Sequence, residues 1–189
     1  LRRSLAALPG RRLLKTHLFD FFDLPLDLAR AGAKVRFGLP RRLQPVILHS
    51  RRWGRIKAEV VCAMTSKYAI ALYELVQLRA GMDRCVETFP IDRFRELMGV
   101  PHRRLRRGPD LVRYCIEPAV LEVNGLSEVA VQVEVRRGNP RAPIEAATVA
   151  WWRKEGDAYR AAMQERRRPK LGRTARLRRE AGKGPEPGR

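Results

Sequence analysis

An α+β fold follows from three observations on the sequence: an apolar period of 3.6 residues between Met64 and Leu78, the same period from Leu111 to Val123, and a switch to a period of two at Val129 to Val135. With a short extended segment and a short helix between the first two, the order is helix, strand, helix, turn, helix, hairpin. That order is the order of a winged helix-turn-helix.

Each element has a local reason. Ala69, Leu72, Tyr73 and Val76 recur at steps of three and four, the spacing of one buried helical face. Ser66 is placed to cap the start of that helix and Gly81 to end it with a positive φ. An extended segment at Val86 to Phe89 leads into a two-turn helix, where Ile91, Phe94, Leu97 and Met98 share a face and Gly99 and Pro101 stop propagation.

The third helix follows the basic turn HRRLRRG. Its stripe is Leu111, Val112, Cys115, Ile116, Ala119, Val120 and Val123, its predicted end is Asn124-Gly125, and Pro118 inside it predicts a kink. Val129, Val131, Val133 and Val135 then alternate with Ala130, Gln132, Glu134 and Arg136 as a half-buried strand. Gly138-Asn139-Pro140 supplies the turn, and Ile144 to Trp152 the returning strand. Adjacent strand residues point to opposite faces, so of Trp151 and Trp152 one points away from the core.

The expected organisation has three parts. Residues 1–60, divided by Pro9, Pro25, Pro40 and Pro45, read as an incomplete N-terminal winged-helix-like region and linker. Residues 61–155 form the winged-helix domain. Residues 156–189 read as a polar helix and a disordered basic tail, because from Arg166 onward ten Lys and Arg meet two acids with little apolar area to offset the ordering entropy. The first residue is Leu rather than Met, which points to a fragment or to a true start further upstream.

Charge narrows the partner. The 189 residues carry 40 Lys and Arg against 20 Asp and Glu, a formal net charge of +20. A charge of that size calls for a polyanion, and nucleic acid is the usual one. Of the 40 cations 33 are Arg, a bias that a GC-rich coding habit also produces. No apolar run reaches the roughly 18 residues of a membrane helix, and SLAAL is shorter than a secretory core of roughly 7 residues. Cys62, Cys85 and Cys115 show no CxxC spacing, so no disulfide framework or zinc ribbon is expected and a cytoplasmic location is.

Catalysis is not expected. His17, His49 and His102 are too far apart for the metal-binding pair of a DNA-nicking enzyme, and Tyr68 and Tyr73 lie on the apolar face of a helix. There is no GxxxxGK[ST] to cradle a nucleotide. Asp92 and Glu96 read as a solvated face, and no cofactor or metal is predicted.

Four blocks, SKYAIALYELVQL, FPIDRFRELMGVP, PDLVRYCIEPAVLEVNGLS and the closing VAWWRK, together resemble the C-terminal winged helix of the iteron-binding plasmid replication initiator (Rep) proteins. The resemblance runs from about Thr65 to Lys154 and rests on Tyr68, Leu72, Tyr73, Ile116, Pro118, Ala119, Glu122, Asn124 and the terminal aromatic-basic run. LPRRLQPVIL followed by WGRIKAEVV resembles the end of the first winged helix and the link to the second, with too few residues before it for a whole domain. The resemblance implies binding of double-stranded DNA at repeated origin sites, help in opening the adjacent duplex, contact with host helicase machinery, and autorepression as a homodimer.

On that geometry the DNA contacts can be assigned. Arg103, Arg104, Arg106 and Arg107, in the turn before the third helix, grip phosphate oxygens with their guanidinium forks and position rather than specify. Off the apolar stripe lie Asp110, Arg113, Tyr114 and Glu117, where Arg113 suits guanine O6 and N7 and Glu117 a cytosine amino group. Arg136, Arg137 and Arg141 flank the wing turn. Two other readings stay open: a winged-helix transcription repressor at an inverted repeat, and a basic RNA-binding scaffold in which the tail dominates.

Overall fold

The computed structural model describes residues 3–8, 12–17, 19–25, 32, 34–45, 56–81, 85–139 and 142–182. The chain divides into two compact units, Leu1–Trp53 and Gly54–Arg189. In the first, β1 (Arg3–Leu8) pairs antiparallel with β2 (Arg12–His17), and β3 (Phe21–Asp23) with β4 (Arg36–Gly38). Phe19 meets Phe22 and Phe37 edge-on, with ring centroids 4.4 and 5.2 Å apart, so aromatic packing joins the two short strands.

The second unit holds α1 (Ala58–Ala63), α2 (Lys67–Gln77), β5 (Val86–Pro90), α3 (Ile91–Leu97), α4 (Gly108–Leu111), a π-helical turn (Val112–Ile116), α5 (Glu117–Leu126), β6 (Val129–Arg137), β7 (Ile144–Arg153), α6 (Gly156–Arg167) and α7 (Arg173–Ala181). It is α+β. The sheet order is β5-β7-β6, antiparallel throughout, with Val131 opposite Trp151 and Thr88 opposite Thr148.

One core joins the helices to one face of the sheet. Leu72, Tyr73 and Val76 of α2, Phe94 of α3, Leu111, Cys115, Ala119 and Val123 of the third helix, and Val129, Val131, Val149 and Trp151 of the sheet are buried together. Each large side chain contributes about 1.5–3 kcal/mol on burial. Trp151 is 4% exposed and Trp152 50%, as the alternation requires. Burial pushes the Cys115 thiol and the Tyr73 hydroxyl up to about 12 each, and the Tyr73 hydroxyl lies 3.1 Å from a Glu128 carboxylate oxygen.

Ser66 caps α2 as expected, its Oγ accepting from the Tyr68 amide at 3.2 Å. Glu122, reaching across from α5, accepts from the Thr65 and Ser66 amides at 2.8 and 3.1 Å, so the third helix fixes the start of α2. Gly99 takes the left-handed conformation that closes α3, at φ +65°.

Four expectations change. Gly81 does not have positive φ, and α2 closes at Leu78 in an ordinary helical conformation. The third helix runs on through Asn124 and Gly125 to Leu126. The Asn124 side chain pairs with both the amide and the carbonyl of Val131, and Gly125 is the site of a close helix approach rather than a left-handed stop. α1, which spans the boundary expected at residue 60, packs through Val60 into the second unit's core.

The largest change is the basic tail. Residues 166–182 are folded, because the arginines that apolar bookkeeping counts as solvated have specific partners. Glu165, 2% exposed, takes Arg176 Nη2 at 2.6 Å and Arg168 at 3.3 Å. The buried Arg173 donates to the Ala63 carbonyl at 2.8 Å and to the Arg168 carbonyl at 2.8 Å, and Lys170 donates to the Cys62 carbonyl at 2.9 Å. Two cations thus satisfy the open carbonyl end of α1, where the helix dipole also favours positive charge.

Candidate nucleic-acid interface

The turn between α3 and α4 presents Arg103, Arg104, Arg106 and Arg107, all exposed. It is held from behind. Arg95 of α3 donates from Nη1 to the Leu105 carbonyl at 2.8 Å and from Nη2 to the Arg104 carbonyl. Leu105 itself sits at φ +52°, a left-handed conformation that costs a bulky residue about 1–2 kcal/mol and needs such support. The Leu105 side chain packs against the core while the arginines on either side point out.

The third helix starts directly after this turn. Its apolar stripe, Leu111, Cys115, Ile116, Ala119 and Val123, is buried; Arg113, Tyr114 and Glu117 are exposed and Asp110 is half-buried. Tyr114 is 54% exposed, and the Arg113 guanidinium carbon stands 5.5 Å from its ring centroid, a cation–π contact that limits the arginine's rotamers. Both belong to the π-helical turn, in which the Glu117 amide bonds the Val112 carbonyl five residues back.

Sequence periodicity does not announce a π turn. Its available signal is Pro118, which has no N–H to give and whose ring crowds the carbonyl four residues back in a regular helix. The widened turn ends at Ile116, two residues before that proline.

The β6–β7 hairpin meets the start of the third helix. A Cβ on Gly108 would lie 3.1 Å from Arg137 Nη2 and 3.1 Å from Ile144 Cδ1, so the hairpin passes directly over the helix's first residue. A register shift between Arg136 and Arg137 turns the end of β6, leaving Arg136 exposed and Arg137 half-buried. The turn, the helix start and the hairpin therefore share one face. Arg141 lies outside the described residues, as does Pro140.

The far end of the third helix is covered. Leu177 of α7 lies against Gly125, and Lys154, after β7, donates to the Asn124 carbonyl and to the Ser127 carbonyl at 3.0 Å. Burial pushes the Lys154 ammonium down to about 8. The exposed side chains of the third helix, Arg113, Tyr114 and Glu117, lie in its first half.

Among the described residues no group of three or more His, Cys, Asp and Glu could hold a metal ion, and no helix is long and apolar enough to cross a membrane. Asp92 and Glu96 are exposed on α3, and Glu96 pairs with Arg93 at 2.9 Å. No protein-family model matches the chain, and no curated protein matches it.

Proposed function

We propose that the Gly54–Arg189 unit is a winged helix-turn-helix that binds double-stranded DNA, and that the chain is a plasmid replication initiator acting at repeated origin sites. The observation that carries the reading is Arg137 beside Gly108, which aligns wing, helix start and arginine turn on one face. On a duplex, Arg103, Arg104, Arg106 and Arg107 would neutralise phosphates along one backbone and Arg136 and Arg137 along another. Between them Arg113, braced on Tyr114, enters the major groove with Glu117 one turn further on. The work is done by binding energy alone, with no cofactor and no bond chemistry.

The initiator reading adds direct repeats, opening of adjacent duplex, contact with host helicase machinery, autorepression as a homodimer and a cytoplasmic setting. It rests on the four sequence blocks between Thr65 and Lys154. Gel shift of the purified chain on three probes tests it: duplex with direct repeats of about two helical turns, duplex with one inverted repeat, and RNA of equal length. Cooperative filling of the direct repeats is expected. Preference for the inverted repeat would make the protein a repressor, and equal binding of RNA would make it a basic scaffold.

A further inference from the structure

The four arginines of α7 divide into two pairs. Arg173 and Arg176 are engaged inside the protein, the first on the Ala63 and Arg168 carbonyls and the second on Glu165. Arg178 and Arg179 are exposed, and neither makes an ion pair with a described carboxylate. The fold accounts for one pair and leaves the other facing outward.

The position of that outward pair is fixed. Leu177, between them and Arg176, is buried against Gly125 of α5, so α7 lies along the third helix. Thr174 and Arg178, one turn apart on α7, line a cleft of about 480 Å³ with Arg113, Glu117 and Leu121 of the third helix and Thr65 and Ser66 at the start of α2. Glu122 also lines it, but its carboxylate is occupied by the Thr65 and Ser66 amides. Arg178 therefore borders the same opening as Arg113.

We infer that α7 is a third phosphate-gripping element, and that Arg178 holds the DNA backbone flanking the groove entered by Arg113, with Arg179 adding positive charge at the same end of α7. The inference rests on the duplex-binding reading above and extends it by adding α7 to the turn and the wing as a basic element beside the helix. A rigid, docked cation pair loses little freedom on contact, unlike a loose basic arm, so it adds affinity and also sets how the duplex lies. The exposed Glu117 between Arg113 and Arg178 repels a phosphate placed too deep, keeping the backbone on the arginine rim.

The test is fluorescence anisotropy of the full chain on about three helical turns of labelled random-sequence duplex, across a salt series, comparing wild type with Arg178→Gln/Arg179→Gln. The inference expects the salt slope to shrink by about 1–2, at about 0.9 for each phosphate no longer neutralised, with an unchanged melting temperature. Arg178→Lys/Arg179→Lys should regain most of the slope, which also separates the effect of charge from any failure of folding. Wild-type slope in the glutamine variant overturns the role of α7 and leaves the duplex-binding reading standing. Failure of wild type to bind duplex overturns both.

Discussion

Gly125 of α5 and Leu177 of α7 interlock: a methyl group at Gly125 would collide with the leucine side chain. The contact draws the C-terminal helix onto the third helix and decides how much of that helix stays open. Gly125→Ala gains about 1 kcal/mol of helix propensity and should still destabilise the protein, by about 1–3 kcal/mol, through overpacking. Urea unfolding measures it. Adding Leu177→Ala should recover part of the loss, with a coupling above about 0.5 kcal/mol; a more stable Gly125→Ala protein would show the interlock to be unimportant.

Glu165 anchors the C-terminal segment. Hydrogen bonds from Arg176 hold its carboxyl below the usual carboxylate range. Because the folded value is depressed, its stabilisation is present above the unfolded value, about 4.3, and disappears as pH falls through the folded value. Glu165→Gln should cost about 3 kcal/mol at neutral pH by leaving Arg173 and Arg176 without their carboxylate. Urea midpoints of wild type and variant should converge below the folded value. A gap that persists at the acid end would exclude the carboxylate as the anchor.

Lys154 is shifted in the same direction by a different cause. Its ammonium is pushed down to about 8 by burial, so between about 8 and its unfolded value near 10.4 the unfolded chain holds more protons. Stability contributed by this group therefore rises with pH across that window. Subtracting the stability curve of Lys154→Met from that of wild type should give an upward step there, cancelling the shared contributions of Tyr73 and Cys115. A flat difference would show that Lys154 is solvated in the folded protein.

Arg95 holds the arginine turn without facing outward itself. Arg95→Met should loosen the Leu105 backbone and weaken duplex binding about tenfold, a loss of about 1.4 kcal/mol. Arg95→Lys, with one point donor in place of the fork, should recover only part. Affinity equal to wild type in both variants would remove Arg95 from the account.

Much of the second unit is legible in the sequence because its elements follow one period each. Leu72, Tyr73 and Val76 recur as a helix must, and Val129 to Val135 alternate as a strand must. The exposure of Arg113, Tyr114 and Glu117 follows from the same counting. What escapes are pairings between distant residues. Arg173 with the Ala63 carbonyl and Arg176 with Glu165 turn a charge run into folded structure, and no local composition distinguishes them from solvated arginines. Gly125 reads as a helix stop in the sequence, since close approach and left-handed conformation ask for the same residue. Arg95 gives no signal because its partners are backbone carbonyls.

Arg113 should carry sequence preference rather than general affinity. Arg113→Gln should lose about 1–3 kcal/mol on the preferred sequence and far less on scrambled duplex, measured by competition gel shift. Equal losses on both would make it one more phosphate contact.

The most direct measurement is the salt dependence of duplex binding for wild type against the protein with Arg103, Arg104, Arg106 and Arg107 all changed to Gln. The variant should bind preferred and scrambled DNA alike more weakly, with the slope of log affinity against log salt reduced by about 3–4. Unchanged affinity and slope would contradict it, because the arginine turn would then lie outside whatever surface this protein uses.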